Sequence, residues 1–220
     1  MLREEDKKEI QARLKSMKDP VHLILFTQKM AGTCHYCVET EQLLKEVSEL
    51  SNFLRLKIYN FVTDKDQVKT YNIDKIPATV IRGKKEYGIR FYGIPTGYEF
   101  AAFLDIILQV SFGESGLAKH LQDKLKELMK PVHIQVFVTP TCPYCTRAAF
   151  TAEQLAIESE KISTSIIEVT EFPQLGQKYG VMGVPKVVLN ELHAFEGAVP
   201  EDLFVEHVLN ATEEEGMKKT

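Results

Sequence analysis

With 220 residues, 44% hydrophobic and 26% charged, the chain is long enough for one large domain or two of roughly 110 residues, and its composition excludes a disordered or fibrous protein. A formal net charge of -4 supplies no basic surface for nucleic acid or an acidic membrane. The opening MLREEDKKEI lacks the apolar core of a signal peptide, and no run approaches the ~20 apolar residues of a membrane span, so the expected setting is the cytoplasm, with neither nucleic acid nor membrane as partner.

In chain order, Leu2 to Met17 carries apolar residues at helical spacing among Lys and Glu and predicts an amphipathic helix. PVHLILF (20–26) is a short apolar run behind a proline and predicts a buried strand. CHYC follows at 34–37, and the segment after it reads as a helix to about Glu49. FLRLKIYNF alternates as a strand does, a short helix leads to Tyr71, and ATVIRGKKEYGIRFY after Pro77 predicts a hairpin turning at Gly83. A last helix starts near Thr96. The same series then returns: a helix over Leu117 to Met129, the strand PVHIQVF (131–137), CPYC at 142–145 opening a helix to about Glu160, the strand ISTSIIEV, a short helix to Tyr179, a hairpin in KVVLNELHAFEG near Asn190, and a helix from about Pro200.

The return is a tandem repeat. One offset of 108 residues relates Cys34 to Cys142, Cys37 to Cys145, Tyr71 to Tyr179 and Pro77 to Pro185, and 43 residues separate each first cysteine from its proline. Pro20 and Pro131 are offset by 111, so the first half carries three extra residues around QKMAG. Two long copies imply two similar domains rather than a solenoid. The glycines of SFGESG (111–116) mark the boundary, giving units 1–112 and 113–220. Each unit is an α/β fold, a central mixed β-sheet flanked by helices, whose first βαβ should be parallel with a right-handed crossover.

All four cysteines stand in the two CxxC motifs. In that motif at a helix start, adjacent turns bring the two Cα atoms near the ~5.5 Å that a disulfide requires. The first sulfur, of Cys34 or Cys142, meets unpaired N–H groups at the positive end of the helix, which favours thiolate over thiol. Such a thiolate attacks a disulfide, and the second thiol, Cys37 or Cys145, resolves the product. A shared four-cysteine zinc site is the competing reading. It is disfavoured because 104 residues lie between Cys37 and Cys142, against the ~15–20 typical of a zinc ribbon, so no metal is assigned. Two buried, inert thiol pairs are the blander alternative.

A strand, a CxxC at a helix start and KYGVMGVP before a hairpin resemble the thioredoxin fold, and TCPYC is similar to the glutaredoxin active site. Two such units in one chain of this size resemble the protein disulfide oxidoreductases, or glutaredoxin-like proteins, of thermophilic archaea and bacteria, over nearly the whole chain. The resemblance implies a tandem thioredoxin-like protein that oxidises, reduces or reshuffles disulfides of protein substrates, with the Cys34–Cys37 and Cys142–Cys145 disulfides as its redox centres, no separate cofactor, and an outside donor such as a thioredoxin reductase. It further implies that Pro77 and Pro185 are cis-prolines and that the backbones of Ile76 and Val184 before them pair with a substrate strand. A glutathione-dependent glutaredoxin, or a relay to a peroxidase as in the tandem domain of alkyl hydroperoxide reductase flavoproteins, is the alternative function; a holdase or metal carrier is the alternative from another class.

One departure stands out. Thioredoxins carry a buried carboxylate on the strand before the CxxC, and VHLILF and VHIQVF have none, so no general base is assigned. Glu168, aligned with Asn60 at the end of the next strand, could stand in for that carboxylate in the second unit alone, but is read as a solvated strand-end charge. His22 and His133, at matching places, are read as polar residues entering a strand. His35 and Arg147 are read as charges that modulate the neighbouring thiolates. Tyr36 and Tyr144 either line the substrate groove or pack on it.

Overall fold

The computed structural model describes residues 2–28 and 34–217, with 213–217 as backbone only. The first half runs α1 (Glu4–Leu14), β1 (Val21–Thr27), α2 (Cys37–Ser48), β2 (Leu54–Asn60), α3 (Lys65–Thr70), β3 (Ala78–Arg82), β4 (Glu86–Tyr92) and α4 (Tyr98–Phe112). The second repeats it as α5 (Lys119–Leu125), β5 (Val132–Val138), α6 (Cys145–Glu158), β6 (Ile162–Glu168), α7 (Pro173–Lys178), β7 (Lys186–Leu189), β8 (His193–Glu196) and α8 (Glu201–Met217). Every element expected from the sequence is present. Most of the extra QKMAG segment lies outside the described residues.

In each half the first strand pairs parallel with the second and antiparallel with the third, β1 with β2 and β3, β5 with β6 and β7. Central strands therefore bury both faces, which is why β1 and β5 are nearly continuous apolar runs. The hairpin turns fall where expected. Asn190 and Glu191 both adopt positive φ (48° and 62°), a conformation for which Asn is suited, and with Leu192 they close the turn between β7 and β8.

The two half-sheets are joined. β4 of the first half pairs parallel with β6 of the second, from Ile89↔Thr164 to Tyr92↔Ile167, giving one eight-stranded sheet in the order β2-β1-β3-β4-β6-β5-β7-β8. The pairing covers what would otherwise be two open strand edges. On one face, α4 of the first half packs along α6 of the second within a continuous core that includes Phe103, Ile106, Ile107, Ala152 and Leu155. On the other face lies a smaller core under α3 and α7, built on Phe26, Val80, Phe137 and Val188.

Candidate functional site

Both CxxC motifs lie between the end of the first strand of their unit and the helix that crosses back over the sheet. Each is closed as a disulfide, Cys34–Cys37 with Cα atoms 5.6 Å apart and Cys142–Cys145 with 5.4 Å. The helices begin at the second cysteine, with Tyr36 and Tyr144 at the N-cap positions, so the first cysteine stands in the loop just ahead of the helix. The Tyr36 carbonyl accepts from Thr40 N at 2.9 Å and the Cys142 carbonyl from Cys145 N at 3.3 Å, which fixes each turn. Cys37 and Cys145 are fully buried, while Cys34 and Cys142 are half-buried, so only the first sulfur of each pair meets solvent.

The peptide bonds Ile76–Pro77 and Val184–Pro185 are cis, as the resemblance implies. Cys142 Sγ lies 3.6 Å from the Val184 carbonyl oxygen. At the other site, Cys34, Ile76 and Pro77 line one cavity of about 710 Å³ together with His35 and Tyr36. Its far wall is the segment Thr170–Gln174 of the second half, so the first unit's groove is completed by its neighbour. Tyr36 and Tyr144 are exposed at 45% and 71%, which places both rings in solvent rather than packed beneath the site. His35 is exposed. Arg147, in the first turn of α6, is exposed and donates from Nη2 to the Ala198 carbonyl.

Neither β1 nor β5 carries a carboxylate, but buried carboxylates gather at the junction of the halves. Glu168 is one, and the reading of it as solvated is corrected: it is 2% exposed, and its oxygens accept from Thr170 N (3.2 Å), Thr170 Oγ1 (2.6 Å) and Glu171 N (3.1 Å). The strand ends there in a turn that folds back over its own side chain, which residue spacing does not reveal. Glu99, in the first turn of α4, is 1% exposed, and neither carboxylate oxygen has a hydrogen-bond partner among the described residues. Burial, reinforced by the charge of Glu168, pushes its pKa up to about 8. Glu153 on α6 is held well above the usual carboxylate range by burial and then by Glu99. Glu171, on the wall of the Cys34 cavity, accepts from Ile94 N at 2.7 Å, and burial raises it to about 7. Sequence reasoning missed Glu99 and Glu171 because their burial depends on the contact between halves.

The start of α4 also touches the second CxxC loop: Tyr98 N donates to the Pro140 carbonyl at 2.9 Å. Gly97 makes that approach possible. Its φ is +59°, and a Cβ there would fall on the Pro140 carbonyl oxygen. His133 bonds Ser165 Oγ through Nε2 at 2.8 Å. Among the described residues there is no group of three or more His, Cys, Asp or Glu able to hold a metal ion.

Comparison with known proteins accords with this geometry. The Thioredoxin domain family matches residues 29–105 and again 132–210. A protein disulfide oxidoreductase from Aeropyrum pernix K1 superposes with a TM-score of 0.90 at 31% identity, covering 97% of this chain and 95% of that one. The NTD_N/C domain of the alkyl hydroperoxide reductase AhpF from Enterococcus faecalis shares the fold, with a TM-score of 0.86 at 21% identity over 94% of this chain and 100% of that one. The F component of alkyl hydroperoxide reductase from Staphylococcus epidermidis is 27% identical over 190 residues, 86% of this chain and 34% of that protein, so the chain spans about a third of the length of the curated relatives it matches. The chain belongs to the thioredoxin-domain family, with two copies of the domain in tandem. Each copy carries one CxxC closed as a disulfide, Cys34–Cys37 in the first and Cys142–Cys145 in the second, an arrangement consistent with thiol–disulfide exchange.

Proposed function

We propose that the protein exchanges disulfides with protein substrates at both of its CxxC sites, in units divided at 112/113, and that it does so in the cytoplasm. The observation that carries this reading is the shared arrangement: in each unit a half-exposed first cysteine faces a cis-proline loop while its partner is fully buried. In the reducing direction, the thiolate of Cys34 or Cys142 attacks one sulfur of a substrate disulfide. A mixed disulfide forms and one substrate thiolate leaves. Cys37 or Cys145, as thiolate, then attacks the sulfur of its neighbour, closes the protein disulfide and releases the second substrate thiolate, so two electrons pass to the substrate. The reverse sequence oxidises a substrate dithiol.

The backbone of Ile76 or Val184 holds the substrate strand beside the reacting sulfur, with Pro77 and Pro185 shaping the loop. His35 and Arg147 tune the two thiolates. The cysteine pairs carry the electrons without a further cofactor, and an NADPH-linked thioredoxin reductase serves as donor when substrates are reduced. Relay of electrons to a peroxidase is the second reading, favoured by the 27% identity to the F component of alkyl hydroperoxide reductase.

Insulin reduction by dithiothreitol tests the proposal. The wild type, the Cys34→Ser/Cys37→Ser protein and the Cys142→Ser/Cys145→Ser protein are each expected to accelerate it, and the protein lacking all four cysteines is expected to be inert. Residual turnover in the last would sink the assignment. Absence of insulin reduction alongside efficient reduction of a peroxidase would favour the relay.

A further inference from the structure

The face of the sheet under α3 and α7 holds a polar cavity that disulfide exchange does not use. In the middle of the sheet, Arg90 pairs with Ser165 across the β4–β6 seam, Ser165 pairs with Gln135, and Ser163 with His133. Cross-strand partners share a face, so these side chains form one polar patch on three adjacent strands. Toward the sheet's edge, the same face is apolar, with Ile24, Phe26, Ala78 and Val80 in its core. The helices that cover this side have only six residues each, and between them a cavity of about 350 Å³ opens over the patch.

Its charges are unevenly matched. Lys75 pairs with Asp74 at 2.6 Å and Lys178 with Glu191 at 3.1 Å. Arg90 donates Nε to the Tyr71 carbonyl at 2.8 Å and makes no ion pair among the described residues. Two pairs cancel and one guanidinium is left over, beside the hydroxyls of Ser163 and Ser165. Burial first, and then Lys75 and Arg90 acting against the opposing Asp74 and Glu191, keep His133 below its usual range. A planar guanidinium fork, ammonium groups and hydroxyls together make a donor set suited to a tetrahedral oxyanion. The volume lies at the lower end of small-molecule sites.

We propose that this cavity binds the phosphate group of a small molecule, with Arg90 as its principal charge partner and Lys178, Ser163 and Ser165 completing the cradle. Lys75 also lines the Cys34 cavity and directly precedes Ile76, so the ligand would sit one side chain away from the first redox groove.

Titration of the isotope-labelled full chain with inorganic phosphate, and separately with glycerol 3-phosphate, tests the site by NMR. The ring signals of His133 and the amides of Lys75, Arg90 and Ser165 are expected to shift together and to saturate. Tighter binding of the ester by about tenfold or more would identify a phosphorylated small molecule as the ligand, and equal binding would identify free phosphate. Arg90→Gln is expected to weaken either ligand by at least about tenfold. Lys178→Gln, on the surface of α7, is expected to weaken it about threefold and decides the matter should the Arg90 variant not fold. No saturable shift at these residues in the wild type, or unchanged affinity in the folded variants, would overturn the proposal.

Discussion

Cys142 Sγ stands 3.6 Å from the carbonyl oxygen of Val184, the residue that precedes cis-Pro185. The contact aligns the outer sulfur of the pair with the loop on which a substrate backbone would lie, while Cys145 is fully enclosed behind it. Reactivity should follow this division. After reduction, brief treatment with iodoacetamide is expected to label Cys142 and Cys34 at least ~10-fold faster than Cys145 and Cys37, because alkylation needs an accessible thiolate. Peptide mapping by mass spectrometry reads the result, and comparable labelling of the inner cysteines would contradict the assigned roles.

The two outer cysteines should differ in acidity. Two positions after the inner cysteine, the first unit has Glu39 and the second has Arg147, both exposed. A cation near the helix start favours the Cys142 thiolate, and a carboxylate disfavours that of Cys34. Glu41 adds less to this contrast than its position suggests, since its Oε1 accepts from Lys45 Nζ at 2.6 Å. Solvent screening limits the difference to below ~1 pKa unit. Alkylation rates measured against pH on the two single-site proteins are expected to give the lower apparent pKa for Cys142; an equal or lower value for Cys34 would reverse the ranking.

Glu99 should make stability fall as pH rises. Its folded pKa of about 8 lies above the ordinary carboxylate value of 4.5, so the folded protein keeps a proton that the unfolded chain releases. Stability from this group is full below about pH 4.5 and is lost as pH rises toward 8, at up to ~1.4 kcal/mol per pH unit. Glu99→Gln removes that dependence. Relative to wild type, the variant is expected to gain a few kcal/mol between pH 5 and pH 7.5 and to show a shallower slope. Glu153, shifted in the same direction, preserves part of the slope. Denaturant unfolding at several pH values checks it, and parallel wild-type and variant curves would show that Glu99 is not the titrating group.

Much of this was legible in the sequence, because the repeat compares the protein with itself. Strand, CxxC and proline recur at one offset, so the reading of His22 with His133 or Pro77 with Pro185 never rested on one local pattern. The junction between halves was not legible. β4–β6 pairing is made by backbone groups, and only four residue pairs form it, so neither strand needs a side-chain signature for it. The burial of Glu99, Glu153, Glu168 and Glu171 follows from that junction. A carboxylate in a helical pattern is ordinarily a solvated charge, and the packing of α4 on α6 makes Glu99 and Glu153 exceptions, whereas Glu168 is enclosed by the turn after β6 and Glu171 by its contact with Ile94 of the first half.

The junction gives a test that separates backbone strain from steric conflict. Gly97 and Gly180 have nearly the same positive φ, +59° and +57°. At Gly180 a Cβ would meet nothing within 4 Å, whereas at Gly97 it would run into the backbone carbonyl of Pro140, which cannot swing away as a flexible side chain can. Gly180→Ala should therefore cost only the left-handed conformation, about 1 kcal/mol. Gly97→Ala adds the displacement of α4 from the loop before Cys142 and endangers the Tyr98 N–H to Pro140 bond, so a loss of about 3 kcal/mol is expected. The two variants should also differ in function. Moving Pro140 shifts the loop that holds Cys142, so Gly97→Ala is expected to slow disulfide exchange several-fold when Cys142 and Cys145 are the only active pair. With Cys34 and Cys37 alone, its rate should stay within about twofold of the parent, provided both are assayed below the unfolding transition. Equal stability losses in the two alanine variants, or equal slowing at both sites, would mean that the α4 contact does not position the second site.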